Sequence, residues 1–470
     1  MPATMNSNAD PTGGHTVNRP VDQAGAEIRP HAAPTRQRDV WMDAVRAASL
    51  LVVVLGHWLL AVVGPAPDGG DLQFRSLLSA APEVHWLSLG LQVMGAFFLV
   101  GGAVSVTSWR RARAAAADGA DHDRRRDTAV AAYGHWLRTR AGRLAGPVLP
   151  LMALWAALPP VLRLIGLDPR LSGDAASNAL APLWFLVVYL LVQALVPVID
   201  HATARVGWLR ATLALIAGSA LVDFATRAGD VAWAGYGGYL VVWVVPVVLG
   251  VALADGRLGA REGRWLAAIG AGGVAVLVGL LDYPVLMVGT LPDGGSNQNP
   301  PSLALAALIL CHVGLLLMTR DRLTRWLSRP RATRVTMLAA AWSMPVFLWH
   351  MTAMTLAIGA TLVTPAATAG LVQITPLEPL WWLTRPLWWA VMLLWSAPLV
   401  LLAARHDRRP TLPPVALGST SAALLGCLAA VTAIAVGSTM AGSTTVAVSM
   451  VALLAVAGGL LGSLPARRDS

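Results

Sequence analysis

Long apolar stretches alternate along this chain with short polar segments. The apolar stretches fall at 41–63, 86–108, 144–166, 182–200, 208–226, 231–254, 265–282, 302–318, 335–359, 387–404, 414–439 and 446–463. A bilayer is crossed by about 20 predominantly apolar residues in a helix. Lipid offers backbone polar groups no partner, so such stretches fold as helices. The twelve candidate spans predict an all-α, polytopic integral membrane helix bundle of about 10–12 transmembrane helices. The first 37 residues break the pattern. They are polar, rich in Pro, Ala, Gly and Asn, and lack the apolar core of a signal peptide. A disordered cytoplasmic tail is expected there. Ten spans then occupy 38–404, and 405–470 holds an accessory pair and a short tail.

Composition agrees with this pattern and gives it a direction. Charged residues make up 13% of the chain and hydrophobic residues 56%, with mean hydropathy +0.60. A soluble protein carries about 25% charged residues. The net charge is +10, and all 35 basic residues are arginine. With the N-terminus inside, 29 of the 35 arginines fall on inside segments, and only Arg75, Arg170, Arg227 and Arg385 fall outside. That asymmetry is the positive-inside signature and predicts a multi-pass protein of a bacterial cytoplasmic (inner) membrane. The all-arginine, alanine-rich usage points to a high-GC bacterium. Basic residues spread over short loops also argue against a nucleic-acid partner. The longest inside loop, 109–143, carries Arg110, Arg111, Arg113 and the Arg124, Arg125, Arg126 run. These read as solvated charge, with contact to anionic lipid as the functional alternative. Trp381, Trp382, Trp388 and Trp389 flank the outer loop 360–386. They read as interfacial anchors, with a sugar-stacking platform as the alternative. Cys311 and Cys427 lie in apolar segments with no metal-ligand spacing.

Candidate chemistry begins inside the first span, where Arg46 and His57 stand eleven residues apart. On a helix that spacing is about 20° beyond three full turns and a rise of about 16 Å, so both side chains share one face at two depths. A charged group at the centre of a span costs about 2.5–3.5 kcal/mol on insertion scales and usually faces a cavity. His57 reads either as a buried histidine bonded to a neighbouring helix or as a general base for an alcohol. Arg46 reads as a snorkelling cation or as a contact for an anionic cofactor entering from the cytosol. Asp43, three residues earlier, can pair with it. Arg140 and Arg143 lie three apart at the inner end of a span. They suit phosphate groups or are ordinary inside charge. His350, beside Trp349 and five residues after Pro345, reads mainly as a packing or hydrogen-bonding residue, because Pro345 can kink its helix and free carbonyls. His312 reads as structural.

Several of these residues fall in segments that together resemble a known family. The segments are Arg38–Arg46 with His57, Phe97-Phe98-Leu-Val-Gly101-Gly102, Arg140-Ala-Gly-Arg143 with Pro147, Leu183-Trp184-Phe185-Leu186, and Phe347-Leu348-Trp349-His350. In this order, on a polytopic chain, they resemble the membrane acyltransferase-3 family over roughly residues 38–404. The resemblance implies transfer of an acyl group, commonly acetyl from acetyl-CoA or another acyl-CoA, onto a hydroxyl. The acceptor it implies is a carbohydrate, a lipid-linked glycan or a small natural product, met at the membrane lipid. It also implies that Arg46 and His57 are needed for activity and that Arg140 and Arg143 are functional, with Trp184 inside a family motif and no metal required. Two positions depart from the family. Gly101 stands where a serine is usual, and Val188-Tyr189 where many members carry a glutamate, which leaves Tyr189 as a possible substitute. A secondary transporter, or an exporter component for a lipid or glycan, also fits the span count. Such transporters show paired interrupted helices in two halves, and this chain shows no such symmetry.

Overall fold

The structure, a computed structural model, describes residues 39–65, 72–118, 125–166, 168–289, 295–363, 376–407, 419–439 and 444–461. The 1–37 tail, the loop residues around His122 and Arg124, parts of the outer loops at 290–294 and 364–375, and the segments 408–418 and 462–470 lie outside the described residues.

Helices carry nearly everything that is described. They are α1 (Val40–Leu60), α2 (Met94–Asp118), α3 (Arg125–Ala145), α4 (Val148–Leu164), α5 (Trp184–Val206), α6 (Trp208–Arg227) and α7 (Gly238–Ala254). They continue with α8 (Ala260–Leu280), α9 (Leu303–Leu327), α10 (Pro330–Val363), α11 (Pro379–Asp407), α12 (Ser419–Thr439) and α13 (Thr444–Leu461). Among the described residues each of the twelve apolar stretches therefore lies mainly on helix. Among the described residues nine helices are long and apolar enough to cross a membrane, and α3 with α4, bent by 43°, make a tenth if taken as one span. The expected upper count of twelve is not reached. The last two stretches form shorter apolar helices, Thr420–Val436 and Ser449–Leu461.

Two further differences have physical causes. The expected inside loop 109–143 is largely helical: α2 runs on to Asp118, and α3 begins at Arg125. Alanine and arginine are good helix formers, and Trp136, Leu137 and Ala141 give α3 one buried face. Its average polarity hid that face. The chain after α1 forms a small antiparallel hairpin, Ala61–Pro65 against Leu72–Ser76, with Val62 opposite Arg75. Its ends lie over a satellite cluster that includes Leu77, Leu78, Leu286 and Trp381.

Burial separates a centre from a rim. The most apolar windows of the α2 and α7 spans are 72% buried, against 17% for α6 and 22% for α8. Glycine allows the central helices to touch. A Cβ on Gly102 of α2 would come within 2.9 Å of the Val247 backbone on α7, and Gly250 of α7 faces the Leu99 carbonyl and the Ala103 amide of α2. The α8–α9 pair uses the same device, with Gly270 against Cys311 and Gly314 against Ala267. Small residues that let backbones approach closely are the usual glue between helices in lipid.

Polar clasps hold both ends of the bundle. At one end Arg110 of α2 reaches Asp200 of α5 and Asp255 just beyond α7, each at 2.6 Å. Arg110 is therefore a tie between α2, α5 and the end of α7 rather than solvated loop charge. At the other end Asp223 of α6 accepts from the Tyr283 hydroxyl and from the Leu303 amide, both at 2.8 Å. The second of these bonds satisfies an orphan donor at the start of α9. Burial first, then the Asp223 hydrogen bond, pushes the Tyr283 phenol up from its ordinary range, so it stays a donor at neutral pH. His312 meets the Gln92 carbonyl through Nδ1 at 3.0 Å, a structural contact.

Candidate functional site

His57 lies in the last turn of α1, and the fold brings it to His350 of α10. His57 Nδ1 and His350 Nε2 are 2.8 Å apart. The ring centroids are 5.0 Å apart with planes only 6° from parallel. Nitrogens so much closer than the centroids mean that the rings meet edge to edge in nearly one plane, not face to face. His350 is fully buried, and its Nδ1 is hydrogen-bonded to the Phe347 carbonyl.

That carbonyl settles the tautomers. It can only accept, so His350 carries its proton on Nδ1. A neutral His350 then presents a lone pair at Nε2, and His57 Nδ1–H donates to it. The remaining nitrogen of His57, Nε2, is left as a basic lone pair with no partner among the described residues. His57 as a residue is half-buried. Sequence reading ranked His350 as a packing residue. The missed signal was spatial, since the two histidines are 293 positions apart.

Indole groups fix both histidine-bearing helices. Trp388 and Trp389 of α11 donate to the Trp58 and Leu55 carbonyls of α1 at 2.8 and 3.2 Å. The Trp58 carbonyl is among those that the end of α1 leaves without a helical donor. Trp58 itself donates to the His350 carbonyl, Trp155 to Thr352 Oγ1 and Trp395 to the Ala353 carbonyl. Trp388 and Trp389 thus clamp α1 through its carbonyls, and Trp381 is buried.

Away from the histidines, on α3, stands the arginine group. Arg140 donates to Ser105 Oγ at 3.1 Å, to Ser108 Oγ at 2.8 Å and to the Val104 carbonyl at 3.3 Å, all on α2. Its charged neighbours are Arg143 and Arg46, with the Tyr189 phenol beside them. Arg46 carries no hydrogen bond or ion pair among the described residues, so the expected Asp43–Arg46 pair is not formed. Both residues share one helix, yet Asp43 makes its contacts elsewhere. Arg143 is exposed. Three guanidiniums that lie near one another are suited to hold a polyanion such as a chain of phosphates.

An aromatic seam joins the two groups. Trp184 packs on Trp243, Trp243 on Phe98, and Phe98 and Phe97 on Tyr189. Phe97 meets Phe185 edge to face at 5.8 Å, Phe185 meets Phe347 at 4.8 Å, and Phe347 lies against His350. Segments scattered over some 250 residues of chain therefore converge on one place. Along α2 the residues Ser108, Ser105, Gly101 and Phe97 follow helical spacing, leading from the arginine end toward the histidine end. The rise from Ser108 to Phe97 is about 16 Å, matching that from Arg46 to His57. Among the described residues no group of three or more His, Cys, Asp or Glu side chains is arranged to hold a metal ion.

The chain is thus a polytopic membrane helix bundle that brings a hydrogen-bonded histidine pair and a group of arginines onto its central helices. The chain belongs to the acyltransferase-3 family, whose acyltransferase domain matches residues 39–405. Membership makes it a membrane O-acyltransferase in general type. No curated protein and no solved structure matches the chain.

Proposed function

We propose that the protein transfers an acyl group, acetyl in the first instance, from cytoplasmic acyl-CoA to a hydroxyl of a glycan, a glycolipid or a small natural product. The setting is a bacterial cytoplasmic membrane, with the N-terminus and the arginine-rich ends inside. The hydrogen-bonded pair of His57 and His350 carries this reading. His57 Nε2 takes the proton of the acceptor hydroxyl as that oxygen bonds to the thioester carbon. The imidazolium so formed is stabilised through Nδ1–H by His350. When the carbon–sulfur bond breaks, His57 returns the proton to the departing sulfur. Arg140, Arg143 and Arg46 hold the phosphates of CoA, and the matching rise of α1 and α2 spans the distance from phosphates to thioester. Thiols leave readily, so positioning and a base suffice.

The test uses membranes or purified protein supplied with acetyl-CoA and envelope lipids and glycans as acceptors. Acceptor-dependent release of CoA thiol is expected, and His57→Ala is expected to lose about 10²–10⁴ of that rate, the usual contribution of a positioned base. Unchanged release in the variant would remove His57 from the chemistry. No release by the native protein with any acceptor would overturn the reading itself. Mass spectrometry of envelope glycans and lipids from a deletion strain, searching for a lost acetyl increment, identifies the acceptor.

A further inference from the structure

Between the arginine group and the histidine pair, the hydroxyl of Tyr189 rests on bare backbone. A Cβ on Gly101 would lie 2.7 Å from the Tyr189 oxygen and 2.8 Å from its Cε2. The absent side chain at 101 and the phenol at 189 are therefore two halves of one fit. The ring is enclosed by Phe97 and Phe98, each with its centroid 5.4 Å away. Ser105, Arg140 and Arg46 are the polar neighbours of the hydroxyl.

Arg140 Nη1 donates to Ser105 Oγ. The Tyr189 O–H is left as a donor, and among the described residues nothing accepts from it.

We propose that the Tyr189 O–H, seated on Gly101, binds an amide carbonyl of the pantetheine arm of acyl-CoA and so positions the donor between its phosphates and its thioester. This rests on the reading of acyl-CoA as donor. Gly101 lies one turn beyond Ser105 on the way from Arg140 to Phe97, which is where the arm must run if phosphates and thioester occupy the two ends.

Inhibition constants of two fragments separate the possibilities. Desulfo-CoA keeps both the phosphates and the amides, whereas the adenosine bisphosphate portion of CoA has no arm. Tyr189→Phe is expected to weaken desulfo-CoA and raise the KM for acetyl-CoA by roughly three- to tenfold, the loss of one hydrogen bond. It should leave inhibition by the adenosine bisphosphate unchanged, whereas Arg140→Gln should weaken both. Gly101→Ala, which drives a Cβ into the phenol, should reproduce the Tyr189→Phe loss, and the double variant should lose little more. If Tyr189→Phe leaves desulfo-CoA unchanged, or weakens both ligands equally, the arm contact is wrong while the acyl-CoA reading stands. If the native protein binds neither, that reading fails and this inference falls with it.

Discussion

Replacing His350 by leucine removes the lone pair that holds His57 in its Nδ1–H form, while keeping an apolar side chain in a fully buried position. Glutamine there keeps an acceptor. If His350 sets the tautomer, His350→Leu should lower kcat by about 10²–10⁴, the range seen when a base or its orienting partner is lost, with KM for acyl-CoA little changed. His350→Gln should recover part of that loss. Equal losses in both, at unchanged thermal stability, would mean that His350 does not act through the bond to His57. At this scale Arg46 and His57 stood out as candidates, because helical geometry places residues eleven apart on one face, while spacing left a structural and a chemical reading of each open. Arg140 was legible only as a cation. Its three bonds to α2 need a partner helix that no local pattern announces. Tyr189 and Gly101 stood out separately as departures from a pattern, and their mutual contact required coordinates. The clamping bonds of Trp388 and Trp389 were not legible, because an indole at a membrane boundary and an indole clamping a carbonyl occupy similar sequence positions.

Helices that touch through glycine have no room to spare. Gly250 faces α2 backbone at the Leu99 carbonyl and the Ala103 amide. Gly250→Leu should therefore force α7 off α2 at a cost of about 1–3 kcal/mol or more, read as a lower thermal midpoint in detergent. Gly279→Leu, on the lipid-facing helix α8 with open space around it, should change little. Equal effects of the two substitutions would contradict the close α2–α7 crossing. Apolar runs predicted where these helices lie, since lipid imposes that pattern strongly. They did not predict α3, whose arginines mask its buried Trp136 and Leu137, nor the hairpin after α1. There Gly64, Pro65 and Pro67 read as loop signals.

Taken whole, the bundle includes more than the family domain. The family match stops at residue 405, yet Ala423, Cys427, Ala430 and Ile434 of α12 and Met450 and Leu454 of α13 share the main core. Thr420 of α12 donates to the Val130 carbonyl of α3 at 2.7 Å, and Gly134 lets the α12 backbone approach. Cys427 faces the Leu190 carbonyl of α5. The accessory pair thus braces the two helices that carry Arg140 and Tyr189. A chain ended after Asp407 should show a raised KM for acyl-CoA and a lower thermal midpoint, with kcat at saturating donor less affected. A shortened protein equal to the full chain in both measurements would make the pair dispensable to the site. The separation of His57 from His350 has one more consequence, which concerns synthesis. Helix α1 is made and inserted long before α10 leaves the ribosome, so a nascent chain holds the first imidazole without the second. On the proposed mechanism the proton-transfer pair is completed only when most of the polypeptide is already in place.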